Sequence, residues 1–344
     1  MVEQLKMSRS QRIMKKIFPL LAIVLLITAC EKQIDIDIED TESMVVVKAA
    51  NEADSPLTVD LTYSRPAFGS FYVRYDEDFF QKITNATVSL SVDGGAALAA
   101  SRNDGTYTFS HKPQPGEKLE LTIAVPGKDN ITSTATVPQC PMISNLDTSY
   151  SNQGYDYYYT TQVNVNFTLN DPAATDDYYA IRIREIDTII NIERDNNDNI
   201  ILQDTIIESY YRFFECTDYL LVNNNEIDIE DPTTSRTYSG TEMLFTDATI
   251  NGLSHNIKLV GQYDRYWEKA SDTTIYHYGL FLEVTALTRD LYLYRQTMNN
   301  YNNNDELLGF FSEPVQIHSN IDGGIGIFGV SSKTTIQIPL RSKE

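Results

Sequence analysis

Apolar and polar side chains alternate along most of this 344-residue chain, in short runs broken by turn residues. Residues 162–169 are the clearest case: Val163, Val165, Phe167 and Leu169 fall on one side, Asn164, Asn166 and Thr168 on the other. That period of two is the mark of a half-buried strand. Comparable runs over 44–50, 57–63, 71–75, 86–92, 105–110, 118–125 and 131–137 predict seven strands, separated by Asp93-Gly94-Gly95, Asn103-Asp104-Gly105 and Pro126-Gly127. Further strands are expected over 178–185, 200–207, 276–285 and 334–340, with the polar run from Arg194 to Asn199 as a hairpin turn. One segment has helical spacing instead. Leu287, Leu291, Tyr294, Met298 and Tyr301 form a single stripe, with Thr288 placed to cap its start and Asn299–Asn304 to end it.

These elements predict a mainly β fold: an N-terminal Ig-like or transthyretin-like β-sandwich over 43–138, then a larger β-rich domain over 139–344 with a helix near 287–301. The paired prolines of Pro138-Gln139-Cys140-Pro141 mark the junction, since each stops a strand.

One apolar run does not alternate. Lys15 and Lys16 precede an unbroken stretch from Ile17 to Ile27, which ends in Ile27-Thr28-Ala29-Cys30. Eleven residues are too few to cross a hydrocarbon core of about 30 Å as a helix. A basic start, a short apolar core and small residues before a cysteine resemble a bacterial lipoprotein signal. That resemblance implies cleavage before Cys30, acylation of Cys30, and a signal over 1–29. The next residues, 30–42, read as an acidic tether in which Asp35, Asp37 and Glu39 alternate with isoleucines. Acidic residues directly after the lipidated cysteine resemble the surface-export signal of Bacteroidetes lipoproteins, which implies display on the cell exterior.

Charge narrows the partners. Removing residues 1–29 takes away five basic residues and one acid, which leaves 22 basic and 47 acidic side chains and a formal charge of −25. Such a surface repels phosphate backbones and anionic headgroups, so nucleic acid is excluded as a partner and the lipid bilayer is reached through acylated Cys30.

Chemistry-bearing motifs are sparse. Gly324-Ile325-Gly326-Ile327-Phe328-Gly329 has the spelling of a dinucleotide loop but lacks a following helix and parallel sheet, so the glycines are expected to permit a bend or close backbone packing. Asp195, Asn197 and Asn199 start like a calcium loop, but Ile200 and Ile206 stand where its glycine and glutamate belong, so an oxygen-rich turn is the better reading. The histidines at 111, 255, 277 and 318 are scattered. No catalytic residue, metal site or cofactor is therefore assigned. Cys140 and Cys216 are able to form one disulfide; the alternative is two free thiols acting as small hydrophobes. Tyr155, Tyr157, Tyr158, Tyr159 and Trp267 are the candidate ligand-binding residues, because aromatic faces with polar tips suit sugars or partner anchors. Core packing explains such tyrosines equally well.

Four segments carry a wider resemblance: Cys30-Glu-Lys-Gln-Ile-Asp-Ile-Asp, the Asn85-Ala-Thr-Val motif, Leu244-Phe-Thr-Asp-Ala-Thr-Ile-Asn-Gly252, and the run from Phe311 to Gly329. Together they resemble a family of Bacteroidetes outer-membrane lipoproteins that carries a domain-of-unknown-function label. Members tend to be encoded beside TonB-dependent outer-membrane transporters. The resemblance implies an outer-membrane, non-enzymatic accessory or ligand-capture partner of such a transporter. The alternatives are an adhesin or structural surface protein and, less favoured, a hydrolase.

Overall fold

A computed structural model of the chain describes residues 43–65, 80–155, 158–173, 175–195, 199–222, 237–264, 274–307 and 316–339. The first strands are β1 (Val45–Glu52), β2 (Thr58–Tyr63), β3 (Thr87–Val92), β4 (Leu98–Ala99), β5 (Ser101–Asn103), β6 (Thr106–Thr108), β7 (Lys118–Ala124) and β8 (Ile131–Thr136). Longer strands follow: β9 (Met142–Tyr155), β10 (Tyr158–Asn170), β11 (Tyr178–Arg194), β12 (Ile200–Arg212) and the short β13 (Phe214–Cys216). After the single-turn helix α1 (Tyr219–Val222) come β14 (Tyr238–Gly240), β15 (Met243–Thr246), β16 (Ser254–Asp264) and β17 (Thr274–Leu287). Helix α2 (Arg289–Leu307) and β18 (Ile325–Ile338) complete the fold.

The chain is mainly β, as its alternation predicts. The expected strand over 71–75 lies outside the described residues. Three sheets form. The largest has nine strands in the order β12-β11-β17-β18-β1-β2-β6-β5, with β15 also paired to β11. A five-stranded sheet runs β14-β13-β16-β10-β9, and a four-stranded sheet runs β4-β3-β7-β8. The nine-stranded sheet crosses the Pro138–Pro141 junction, because the last strand, β18, lies parallel to the first, β1, from Val46↔Ile325 to Glu52↔Ser331.

Strand alternation decides where each core sits. Phe328 and Val330 of β18 join Val45, Val47, Leu61, Leu90 and Leu121 in a core under the four-stranded sheet. Ile338, an even number of residues further on, joins Phe167, Ile181, Phe245, Leu259 and Leu282 in a second core under the five-stranded sheet. Ile327 points the other way, against Leu291 and Tyr292 of α2. Both small sheets therefore pack on one face of the large sheet, and the helix covers the other. Among the described residues no helix is long and apolar enough to cross a membrane.

Helix α2 starts at Arg289, later than its stripe predicts, because β17 keeps pairing with β11 and β18 through Leu287. Thr288 does not cap it with its side chain: the hydroxyl is buried without a hydrogen bond, and its backbone N–H donates to Val330 O. Burial falls on Leu291 and Tyr292, while Tyr301 at the far end of the stripe is exposed.

The glycine run lies at the start of β18. Gly326 has φ +121°, and a Cβ there would stand 1.9 Å from Val47 O of the paired strand. Gly329 lets Leu291 approach, since a Cβ would lie 2.7 Å from the Cβ of Leu291. The first of these sites combines a backbone conformation reserved for glycine with a main-chain clash. Gly326→Ala should therefore destabilise by about 3 kcal/mol or more and lower Tm by roughly 6–12 °C. Gly94→Ala is the control: φ is +70° but nothing lies within 4 Å of the added methyl, so the cost is about 1 kcal/mol. Equal melting temperatures for the two variants would contradict the close approach.

Candidate functional site

Three loop carboxylates meet at the end of the second core. β15 pairs with β11 at Tyr178↔Thr246, so the next residues outward, Asp177 and Asp247, are neighbours, and Asp247 N–H donates to Asp177 O at 3.0 Å. Asp171 follows β10, where its N–H donates to Leu253 O at 3.0 Å beside the start of β16. One carboxylate oxygen from each of Asp171, Asp177 and Asp247 lies within 4.8 Å of the others.

Donors hold the group in place. Tyr179 hydroxyl donates to Asp171 Oδ1 at 2.7 Å and Gly252 N–H to Asp171 Oδ2 at 2.9 Å. Thr175 hydroxyl donates to Asp177 Oδ2 at 2.7 Å, and the Asn251 amide donates to Asp247 Oδ2 at 3.1 Å and to Thr175 O at 3.3 Å. Gly252 is required at its place: φ is +71°, and a Cβ would sit 2.6 Å from that of Ala173. Burial first, then the neighbouring carboxylates, push Asp177 and Asp247 above the usual carboxylate range, against the hydrogen bonds their carboxylates accept. Burial and the bond to Asp171 likewise raise Tyr179. Three oxygens are at most half the shell of a Ca²⁺ ion. With a donor already on every carboxylate, the group acts as a clasp that ties the loops at 171–177 and 247–253 together.

A second polar cluster fastens α2 to the large sheet. Glu242 accepts from Arg182 at 2.6 Å and from Arg295 of the helix at 2.9 Å. Arg184 meets the buried Glu283 at 2.7 Å, and Lys333 reaches both Glu283 and Glu52. Desolvation lowers the Arg295 guanidinium pKa, and Glu242 opposes that shift.

The third feature is the outer edge of the large sheet. β18 pairs with β17 only over Leu280–Leu287, whereas β11 pairs with β17 as far as Thr274. β17, β11 and β12 therefore run about six residues, roughly 20 Å, beyond the end of β18. Seven of the fourteen exposed large apolar side chains among the described residues fall within 200–213, including Ile201, Ile207 and Phe213 at 64%, 68% and 70% exposure. On one face of this arm Glu185, Asp187 and Glu208 gather near Arg212, which pairs with Glu185. Asp187 is pushed up to about 6 by burial first and then by Glu185.

The residues singled out from the sequence are dispersed. Tyr155 ends β9, and Tyr158 and Tyr159 begin β10 with Tyr158 opposite Tyr155, at a hairpin tip. Tyr157, Trp267 and Cys30 lie outside the described residues. Both other thiols are free: Cys140 is exposed after Pro138, and Cys216 is buried on β13. The turn at 195–199 is closed by Asn199 N–H on Asp195 Oδ1 at 2.9 Å; Asn197 lies outside the described residues. His111, His255 and His318 each meet a different carboxylate, on Glu117, Asp218 and Asp290. The clasp escapes a reading of the sequence because its members are up to 76 residues apart. Its one sequence signal is Leu244–Gly252, the segment that carries the family resemblance and contains Asp247, Asn251 and Gly252.

What the fold and site define is a mainly β protein in which polar clusters tie loops together and, among the described residues, β12 forms one edge of the large sheet. The chain belongs to the family described as Domain of unknown function (DUF4249), which matches residues 31–337. No curated protein matches it.

The arm carboxylates set a pH dependence. Asp187 holds its proton in the folded chain from its ordinary value of 3.8 up to about 6. The folded state then binds more protons than the unfolded one, so this contribution favours folding at low pH and is lost as pH rises through about 6. Asp187→Asn should flatten the fall in stability across that window, by at most about 1.4 kcal/mol per pH unit, read from urea midpoints at pH 4, 5, 6 and 7. An unchanged slope would show that Asp187 ionises as freely folded as unfolded.

Proposed function

We propose that the chain is a lipoprotein held on the outer membrane through acylated Cys30, displayed outward, and working as an accessory or ligand-capture partner of a TonB-dependent transporter. One placement carries the reading: the family match opens at residue 31, directly after Ile27-Thr28-Ala29-Cys30. The signal-like segment and its cysteine thus stand just outside the family domain, where a processed and acylated N-terminus would put them. Two or three acyl chains, at about 0.8 kcal/mol per buried CH₂, hold such a protein firmly. An acidic body keeps its distance from anionic headgroups, so the lipid alone sets the attachment.

The accessory role draws on the family resemblance and on surface chemistry. His111, His255 and His318 are each tied to a carboxylate, and the polar clusters join loops or hold the helix. Among the described residues, what the protein offers a partner is broad sheet surface and the edge of β12 that no described strand pairs.

Cys30→Ala should move the protein from the membrane to the soluble fraction, and persistent membrane attachment would remove the lipoprotein reading. Extraction of the acylated protein in mild detergent should bring a TonB-dependent transporter with it in comparable amount; recovery alone would overturn the accessory role. Protease added to intact cells should degrade the chain if it faces outward.

A further inference from the structure

We propose that β12 takes up, by strand addition along the edge that no described strand pairs, an extended segment of a partner protein in which apolar and basic side chains alternate. The partner's identity rests on the accessory reading above; the edge and its chemistry do not.

β12 is the last strand of the nine-stranded sheet among the described residues, and one side of its thirteen-residue backbone has no described strand beside it. Long free edges are normally guarded by lysine, proline, a central bulge or short length. Ile200–Arg212 contains no lysine and no proline, and the only irregularity in its pairing with β11 lies at the turn, at Glu193/Arg194. Its exposed side chains are those of a docking strand, with Ile207 and Tyr211 on one face and Ile206 and Tyr210 on the other. Backbone pairing along such an edge supplies affinity, and alternate side chains supply selection.

Charge selects the occupant. The guards β12 does carry, Asp204 and Glu208, are both acidic and lie on one face with Ile206 and Tyr210. Glu208 stands opposite Asp187 in the ladder, with Glu185 two residues further along β11. Arg212, the one cation of β12, is held by Glu185. A lysine or arginine of an added strand, placed across from Glu208, would meet carboxylates from two strands at once. A second copy of this chain fails the same test. Antiparallel self-pairing about Ile206 over the full strand sets Asp204 against Glu208 twice, and like charges directly opposite destabilise a sheet. The acidic segment at 31–42 fails for the same reason.

The experiment uses the full acylated chain in mild detergent and three fluorescent, end-blocked decapeptides. One alternates lysine with valine, one alternates glutamate with valine, and one is the lysine peptide N-methylated at alternate residues. The lysine–valine peptide should bind and slow amide exchange within 200–212. The N-methylated peptide, with the same charge but one edge blocked, should bind at least tenfold more weakly, and the glutamate peptide not at all. Asp204→Lys/Glu208→Lys, both exposed changes, should weaken lysine–valine binding at least tenfold while Tm stays within a few degrees. Equal binding of the N-methylated peptide would mean charge attraction alone and would overturn the proposal. So would protection outside 200–212, or a dimer in sedimentation that Ile207→Lys dissolves. These measurements need no transporter: their failure leaves co-purification as the separate test of the accessory role, and failed co-purification leaves the peptide result standing.

Discussion

The parallel pairing of β1 with β18 is the contact on which the rest of the molecule depends. It joins residues about 280 positions apart over seven consecutive pairs. A parallel pair needs a crossover connection, and here the crossover is nearly the whole described chain. Chain-closure entropy grows only with the logarithm of length, so this closure costs roughly 2 kcal/mol more than a 20-residue crossover would. Local contacts reinforce it: Ser331 hydroxyl donates to Asn51 O at 3.1 Å, and Ala53 N–H donates to Ser331 O at 2.8 Å. The side-chain amide of Asn320 bonds both Phe328 N–H and Phe328 O, holding the segment before β18 against it. Neither core is complete without this seam, since β18 contributes Phe328 and Val330 to one and Ile338 to the other.

How legible each element is in the sequence follows from how it is buried. β10 is buried on one face, and its alternation declares it from Val163 to Leu169. β18 is different. Ile327 to Ser332 are buried on both faces, so the run Ile-Phe-Gly-Val-Ser-Ser has no period, and only the partly exposed end near Thr334 reads as a strand. β4 and β5, with two and three residues, are too short to carry a period at all. Tertiary context displaces the onset of α2, because Leu287 satisfies the helical stripe and the β17 ladder equally and the ladder has two partners to offer. The acidic clasp is illegible for a topological reason: Asp171, Asp177 and Asp247 become neighbours only after β10, β11, β15 and β16 have found their registers.

The same geometry keeps the first strand apart from the outer edge of the sheet. β1 is paired on both sides, antiparallel to β2 and parallel to β18. A pull on the residues that precede it loads two ladders at once along the strand direction, so several backbone hydrogen bonds must yield together. β12 lies four strands away in the same sheet, with β11, β17 and β18 between. Because the intervening strands form one continuous ladder, a strand added at β12 extends the hydrogen-bonded sheet to which β1 belongs and need not displace any contact of β1. A load on β1 and a strand added at β12 would therefore not compete for the same backbone groups. On the proposed reading, the selectivity of so acidic a chain resides in which strand the edge of β12 admits, because that edge presents Asp204 and Glu208 to whatever pairs with it.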